Sequence, residues 1–173
     1  MNEVLQAIKE RKSVKKYKDT PVPKELIEKI VEAGLAAPSG LNKQASIVIA
    51  VTDKATRDEL SRLNAATDPF FRSDPFYGAP CVLVVLADKS ASTYVYDGSL
   101  TMGNMLLAAQ ALGLGACWVH RAKETFETPE GKAILAKLGI TGDYEGIGNC
   151  IVGYPDMTPQ AKPRKENRAF YIE

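Results

Sequence analysis

Between Ser99 and Leu112 the chain sets apolar residues on every side of a helical wheel: Leu100, Met102, Met105, Leu106, Leu107, Ala108, Ala109, Ala111 and Leu112. A helix that is apolar all round must be covered all round. A bilayer span would need ~20 consecutive apolar residues, and no run in the chain comes close. With 173 residues to cover it, such a helix is central to the fold, part of a subunit interface, or both. The reading adopted is both.

A chain of this length buries roughly 70% of the surface it exposes when unfolded, so it can fold as a single domain without staples. Its 45% apolar and 25% charged residues exclude disordered, collagenous and coiled-coil classes. Residues 1–10 carry no apolar h-region, so no signal peptide is expected. Cys81, Cys117 and Cys150 each sit in a β-like apolar run with no C-x-x-C spacing. They read as buried thiols in a reducing compartment, which points to a cytoplasmic protein.

Periodicity predicts the remaining elements. Residues 2–10 form a short amphipathic helix with Val4, Leu5 and Ile8. A second helix opens at Pro23 and runs to about Ala37, with Leu26, Ile27, Ile30, Val31 and Leu35 on one face, until Pro38-Ser39-Gly40 stops it. The β-branched run 46–52 predicts a strand buried on both faces. A surface helix follows over 54–64, then an irregular loop from Asp68 to Pro80 that could move. Cys81 to Ala87 is a second core strand. Strands at 116–120 and 148–153 flank an amphipathic helix near 126–138, and from Pro155 onward no helical period survives. That tail reads as reaching toward a partner surface.

The net charge is only +1, which argues against a nucleic-acid surface. Yet residues 1–24 hold seven Lys/Arg against three acids, and residues 160–173 hold four against two. Two short basic ends suit a local anionic ligand such as a phosphate, or are simply solvated. Arg11, Ser13 and Lys15 share one side of an extended segment, because alternate residues face alike. An Arg fork beside a Ser hydroxyl suits a phosphate.

Other chemistries are excluded. The Gly113-Leu114-Gly115 segment has Trp118 where a dinucleotide fingerprint needs glycine, and it precedes a strand. His120 is the only histidine, so metal sites built on several imidazoles are out, and no serine sits in a nucleophile elbow.

The residues that remain resemble the nitroreductase family of FMN-dependent oxidoreductases over nearly the whole chain. They are Arg11-Lys12-Ser13-Val14-Lys15-Lys16-Tyr17, Ala37-Pro38-Ser39-Gly40-Leu41-Asn42-Lys43-Gln44, Asp97-Gly98-Ser99 through Asn104, and Leu107-Ala108-Ala109. Leu112-Gly113-Leu114-Gly115-Ala116-Cys117-Trp118 and Gly153-Tyr154-Pro155 with the basic tail complete the set. The resemblance implies an α+β fold: a central mixed, mostly antiparallel sheet flanked by helices, in a homodimer whose C-terminal tail extends onto the partner subunit. It implies FMN held by both subunits, with no catalytic side chain because the flavin carries the chemistry.

By the same resemblance, Arg11 and Ser13, assisted by Lys12, bind the FMN phosphate and ribityl chain, and Lys15 lies near N1 and O2 of the ring. A cation there stabilises charge on the reduced ring. Pro38, Ser39 and Asn42 come from the other subunit. Trp118, Val119 and His120 bring a backbone N–H toward flavin N5, and Lys162 and Arg164 return to the phosphate. NADH or NADPH is the implied donor and a nitroaromatic or quinone the acceptor, in ping-pong order. Neither nucleic acid nor membrane is an expected partner.

Two departures stand out. Many relatives carry a small or acidic residue and then glycine after the Trp118-Val119 position, where this chain has His120-Arg121. The longer insertions that cap larger members are also missing, which leaves 68–77 as the candidate lid and Phe70, Phe71, Phe76 and Tyr77 as candidate walls of the substrate slot. Three other readings stay open: a flavin enzyme of the same fold that dehalogenates or oxidises a heterocycle, a non-enzymatic FMN-binding module, and a dimer without cofactor.

Overall fold

A computed structural model describes residues 2–68 and 73–173. The elements follow in the order α1 Glu3–Glu10, α2 Lys24–Leu35, a 3-10 turn Gly40–Asn42, β1 Ser46–Val51 and α3 Lys54–Ala66. Then come β2 Cys81–Asp88, α4 Tyr94–Ala111, β3 Gly115–Val119, α5 Ala122–Glu127, α6 Pro129–Lys137 and β4 Tyr144–Gly153. The four strands form one sheet in the order β1-β2-β4-β3, with every neighbouring pair antiparallel. The parallel pairing that makes the arrangement mixed is a single bridge, Ser13 to Ala116.

β2 is buried from Cys81 through Ala87, as its apolar run requires. Strand alternation divides it between two cores. Leu83 and Val85 face Ile27 and Ile30 of α2 and Met102 and Met105 of α4. Val82, Val84 and Leu86 face Leu60, Phe76 and Phe126 on the other side.

α4 is central, as its composition demands, but this chain covers only one of its sides. Asp97, Gly98, Thr101, Met102, Met105 and Ala109 are buried, while Val95, Tyr96 and Leu100 stand exposed. α1 lies beside it with Val4, Leu5 and Ile8 also exposed. All three cysteines are buried and free.

Two expectations need correction. β1 lies at the sheet edge, with Ile47 and Val48 half-buried and Ala50 exposed. A β-branched run reports strand propensity, but its place in the sheet is set by which strands pair. The helix expected near 126–138 is two helices, broken at Thr128, which ends α5 in extended backbone and caps α6 through its hydroxyl. Pro129 suits the first position of α6.

Candidate functional site

Residues 12–18 leave α1 as an extended segment beside β3. The Val14 N–H donates to the Ala116 carbonyl at 3.1 Å, and the Lys18 N–H donates to Tyr154 O at 2.9 Å. Val14 is buried against Gly115, where a Cβ would lie 2.8 Å from Val14 Cγ2. Turning Val14 inward turns Ser13 and Lys15 outward. Both line a cleft of 530 Å³ whose other walls include Asn64, Asp68, Pro75, Tyr77 and the run Cys117-Trp118-Val119-His120-Arg121.

Sequence reasoning therefore placed five residues that the fold brings to one cleft: Ser13, Lys15, Trp118, Val119 and His120. The others lie elsewhere. Arg11 and Lys12 are half-buried where α1 ends, outside the lining. Pro38 and Ser39 line a separate 200 Å³ pocket with Gln44, Ser46, Asp97 and Thr101, and Asn42 is exposed in the 3-10 turn. Lys162 and Arg164 are exposed in the tail, which passes Lys15 as its N–H meets Met157 Sδ at 3.4 Å.

The aromatic slot walls need revision. Phe76 is fully buried in the core and lies 5.5 Å below the Arg57 guanidinium. Tyr77 does face the cleft, and Lys15 Nζ sits 5.5 Å from its ring centroid, a cation–π distance. Phe70 and Phe71, with the centre of the suggested lid, lie outside the described residues. Asp74 shapes the turn that carries Tyr77, accepting from Arg57, Ser61 and the N–H groups of Phe76 and Gly78.

Backbone strain concentrates around these regions. Six non-glycine residues have positive φ among those described, and five of them are Leu41, Asn42, Gln44, Tyr77 and Arg121. Each such residue costs of order 1–3 kcal/mol and persists where its surroundings over-determine it. Arg121, at φ 73 and ψ 16, holds a conformation that glycine takes at no steric cost. Its guanidinium meets Glu124 at 2.9 Å and approaches Asp68 at 4.0 Å.

Asn64 had not been singled out from sequence. Its signal is a polar residue four positions after Leu60, on the face of α3 that also buries Arg57, Ser61 and Leu63. Cys117, read as a plain buried thiol, is buried and also borders the cleft.

Residues 8–68 and 62–154 match the sequence model of the Nitroreductase family. The chain is similar to the nitroreductase of Bacteroides fragilis crystallised with bound FMN, with a TM-score of 0.91 and 28% identity over 100% of both chains. It is also similar to an FMN-bound nitroreductase of Desulfitobacterium hafniense, with a TM-score of 0.89 and 27% identity, again over 100% of each chain. An NADPH-flavin oxidoreductase of Vibrio harveyi is 28% identical over 95% of this chain and 70% of its own length.

Proposed function

Because the chain belongs to the nitroreductase family, we propose that it is an FMN-dependent oxidoreductase that passes reducing equivalents from NADH or NADPH to a nitroaromatic or quinone acceptor. The observation that carries this reading is the meeting of Ser13 and Lys15 with residues 117–121 in one cleft. The donor set fits FMN: the Ser13 hydroxyl and the Lys15 ammonium border the cleft, with the Tyr77 ring on its wall. FMN held there would supply two-electron redox chemistry between nicotinamide and acceptor.

The chain's own residues anchor, orient and tune. Arg11 and Ser13, with Lys12, hold the phosphate and ribityl chain through charge-assisted hydrogen bonds. Lys15 would serve the pyrimidine edge of the ring, where its charge would favour the reduced anion. The backbone beyond Val119 would supply a donor toward N5. The family's two-subunit site supports assigning Pro38, Ser39 and Asn42 of the partner subunit to the same cofactor, since in one chain they lie in a different pocket from Ser13 and Lys15. The exposed sides of α1 and α4, and an extended tail with Phe170, Tyr171 and Ile172 all exposed, support a homodimer whose tail crosses to the partner and brings Lys162 and Arg164 to the phosphate. Donor and acceptor occupy the slot in turn, which gives ping-pong kinetics. Residues 1–173 act as one FMN-binding unit, and the setting is cytoplasmic. No described helix is long and apolar enough to cross a membrane.

An anaerobic visible spectrum tests the reading. A yellow protein bleached by NADH or NADPH, with colour restored by a quinone or nitroaromatic, is expected. A yellow protein that neither nucleotide bleaches would leave a binding module or another flavin chemistry. A colourless protein that takes up no added FMN would refute the site assignment. Arg11→Ala should weaken FMN binding by ~1.5–3 kcal/mol, the loss of a charged hydrogen bond, as read by fluorescence titration. Unchanged affinity would remove Arg11 from the phosphate.

A further inference from the structure

One peptide at the end of β3 is held by two buried amides. The His120 carbonyl accepts from Asn64 Nδ2 at 2.8 Å and from Asn149 Nδ2 at 3.4 Å, and Asn149 Nδ2 also reaches the Val119 carbonyl at 3.4 Å. Asn64 comes from α3 and Asn149 from β4, and they are only 3% and 1% exposed. The orientation of Asn149 follows from its neighbours, because exchanging its amide atoms would set Oδ1 against two carbonyl oxygens. The other end of the same side chain, Oδ1, is buried with no partner. A buried acceptor left unpaired is unfavourable, so what recommends asparagine here is the donor end.

The consequence lies on the opposite side of the peptide. The bond is trans and planar, so C=O and N–H point in opposite directions. Fixing the His120 oxygen toward Asn64 and Asn149 turns the Arg121 N–H away from them, and no acceptor among the described residues takes it. The left-handed φ of 73 at Arg121 belongs to the same arrangement. Turning this peptide plane over would bring φ to a negative value that any residue accepts. It would relieve Arg121, break the bonds to Asn64 and Asn149, and present a carbonyl oxygen where an N–H now stands.

We propose that Asn64 and Asn149 are positioning residues that clamp the His120 carbonyl and so present the Arg121 N–H to the cofactor as a fixed donor. This rests on the reading of the cleft as an FMN site and adds which residues hold that donor against the strain of Arg121. A donor aimed in advance needs no reorganisation when negative charge gathers on the ring. Asn149 acts through the peptide alone, while Asn64 also borders the cleft, so the Asn149 variant reads the clamp most directly, and its loss should change the electronic behaviour of the flavin more than its retention.

The test uses full-length Asn64→Ala and Asn149→Ala, each loaded with FMN. The reduction potential of the bound flavin is measured by equilibration with a reference dye, alongside kcat and KM for the nucleotide. The clamp predicts yellow variants whose potential is lower than wild type and whose kcat falls about tenfold or more, with KM within about twofold. Variants that melt at a lower temperature but keep the wild-type potential and kcat would show a purely structural role and overturn the proposal. Should Asn149→Ala fail to fold, Asn149→Leu, which keeps the side-chain volume and removes the donor, decides in its place. Wild-type protein that binds no FMN would overturn the cofactor reading and the clamp together, whereas a normal wild type with silent variants overturns only the clamp.

Discussion

Removing Asp74 tests how the Tyr77 wall of the cleft is held. Its carboxylate accepts from Arg57 and Ser61 on α3 and from the backbone N–H groups of Phe76 at 2.9 Å and Gly78 at 2.7 Å. Asp74→Ala deletes one charge-assisted pair and three further hydrogen bonds. A charged hydrogen bond contributes ~1.5–3 kcal/mol and a neutral one ~0.5–1.5 kcal/mol. Two facts reduce the total. The Asp74 side chain is 35% exposed, so water replaces part of what is lost. Arg57, whose side chain is only 10% exposed, keeps Asp58 at 3.1 Å and the Ala79 carbonyl at 3.0 Å, so it is not left a lone buried charge. The expected loss is ~3 kcal/mol, which for a chain of this size lowers Tm by about 6–12 °C.

Asp74→Asn keeps an acceptor for part of the turn but loses the charge, and should cost ~1–2 kcal/mol. Urea unfolding followed by the fluorescence of Trp118, the only tryptophan, reads both. An Asp74→Ala variant within ~1 kcal/mol of wild type, or an Asp74→Asn variant as damaged as Asp74→Ala, would refute the reasoning. The same group has a pH signature. Burial alone would raise its pKa, but the bonds from Arg57, Ser61, Gly78 and Phe76 outweigh burial and hold the carboxyl below its ordinary 3.8. A folded-state pKa below the unfolded one means stability that is present above pH ~4 and is lost as pH falls through the folded value. Wild-type stability should therefore drop more steeply than that of Asp74→Asn below pH ~4.

Three other outcomes follow from contacts on the page. A methyl added at Gly148 would lie 2.5 Å from Trp118 Nε1 and 3.0 Å from Met102 Cε, so Gly148→Ala should cost ~1–3 kcal/mol by overpacking and shift the Trp118 emission; an unshifted, fully stable variant would show that the pocket yields. Arg121→Gly relieves the left-handed backbone but loosens the unfolded chain, so stability measured by urea unfolding should stay within ~1 kcal/mol of wild type. Burial pushes the Cys81 thiol up to about 12 and also raises Cys150, so both should resist alkylation at pH 8 until the protein is unfolded, as mass spectrometry would show.

What could be read before the fold was known was local and periodic. The all-apolar stretch of α4, the buried run of β2 and the alternation from Arg11 to Lys15 depend on neighbours a few residues away, and helix or strand period converts them directly into faces. The break at Thr128 was missed because apolar spacing carries on across it while the capping hydroxyl interrupts the backbone. The edge position of β1 was missed for a different reason: its composition resembles that of a central strand, and only pairing order separates the two.

At the site, the alternation of an extended segment put Arg11, Ser13 and Lys15 on one side, while the inward turn of Val14 and the place of Arg11 outside the cleft came from the fold. Tertiary structure decided what Ser13 and Lys15 would face. Asn64 reaches the carbonyl of His120 across 56 positions of sequence and Asn149 reaches it across 29. Those contacts exist only because α3, β3 and β4 pack at one end of the sheet. The left-handed turn at Arg121 is likewise disfavoured by the residue's own preference and is held in place by these distant partners. Periodicity specifies which way a side chain points from its own element. Which groups then converge on a common space is settled by packing, and no local pattern encodes it.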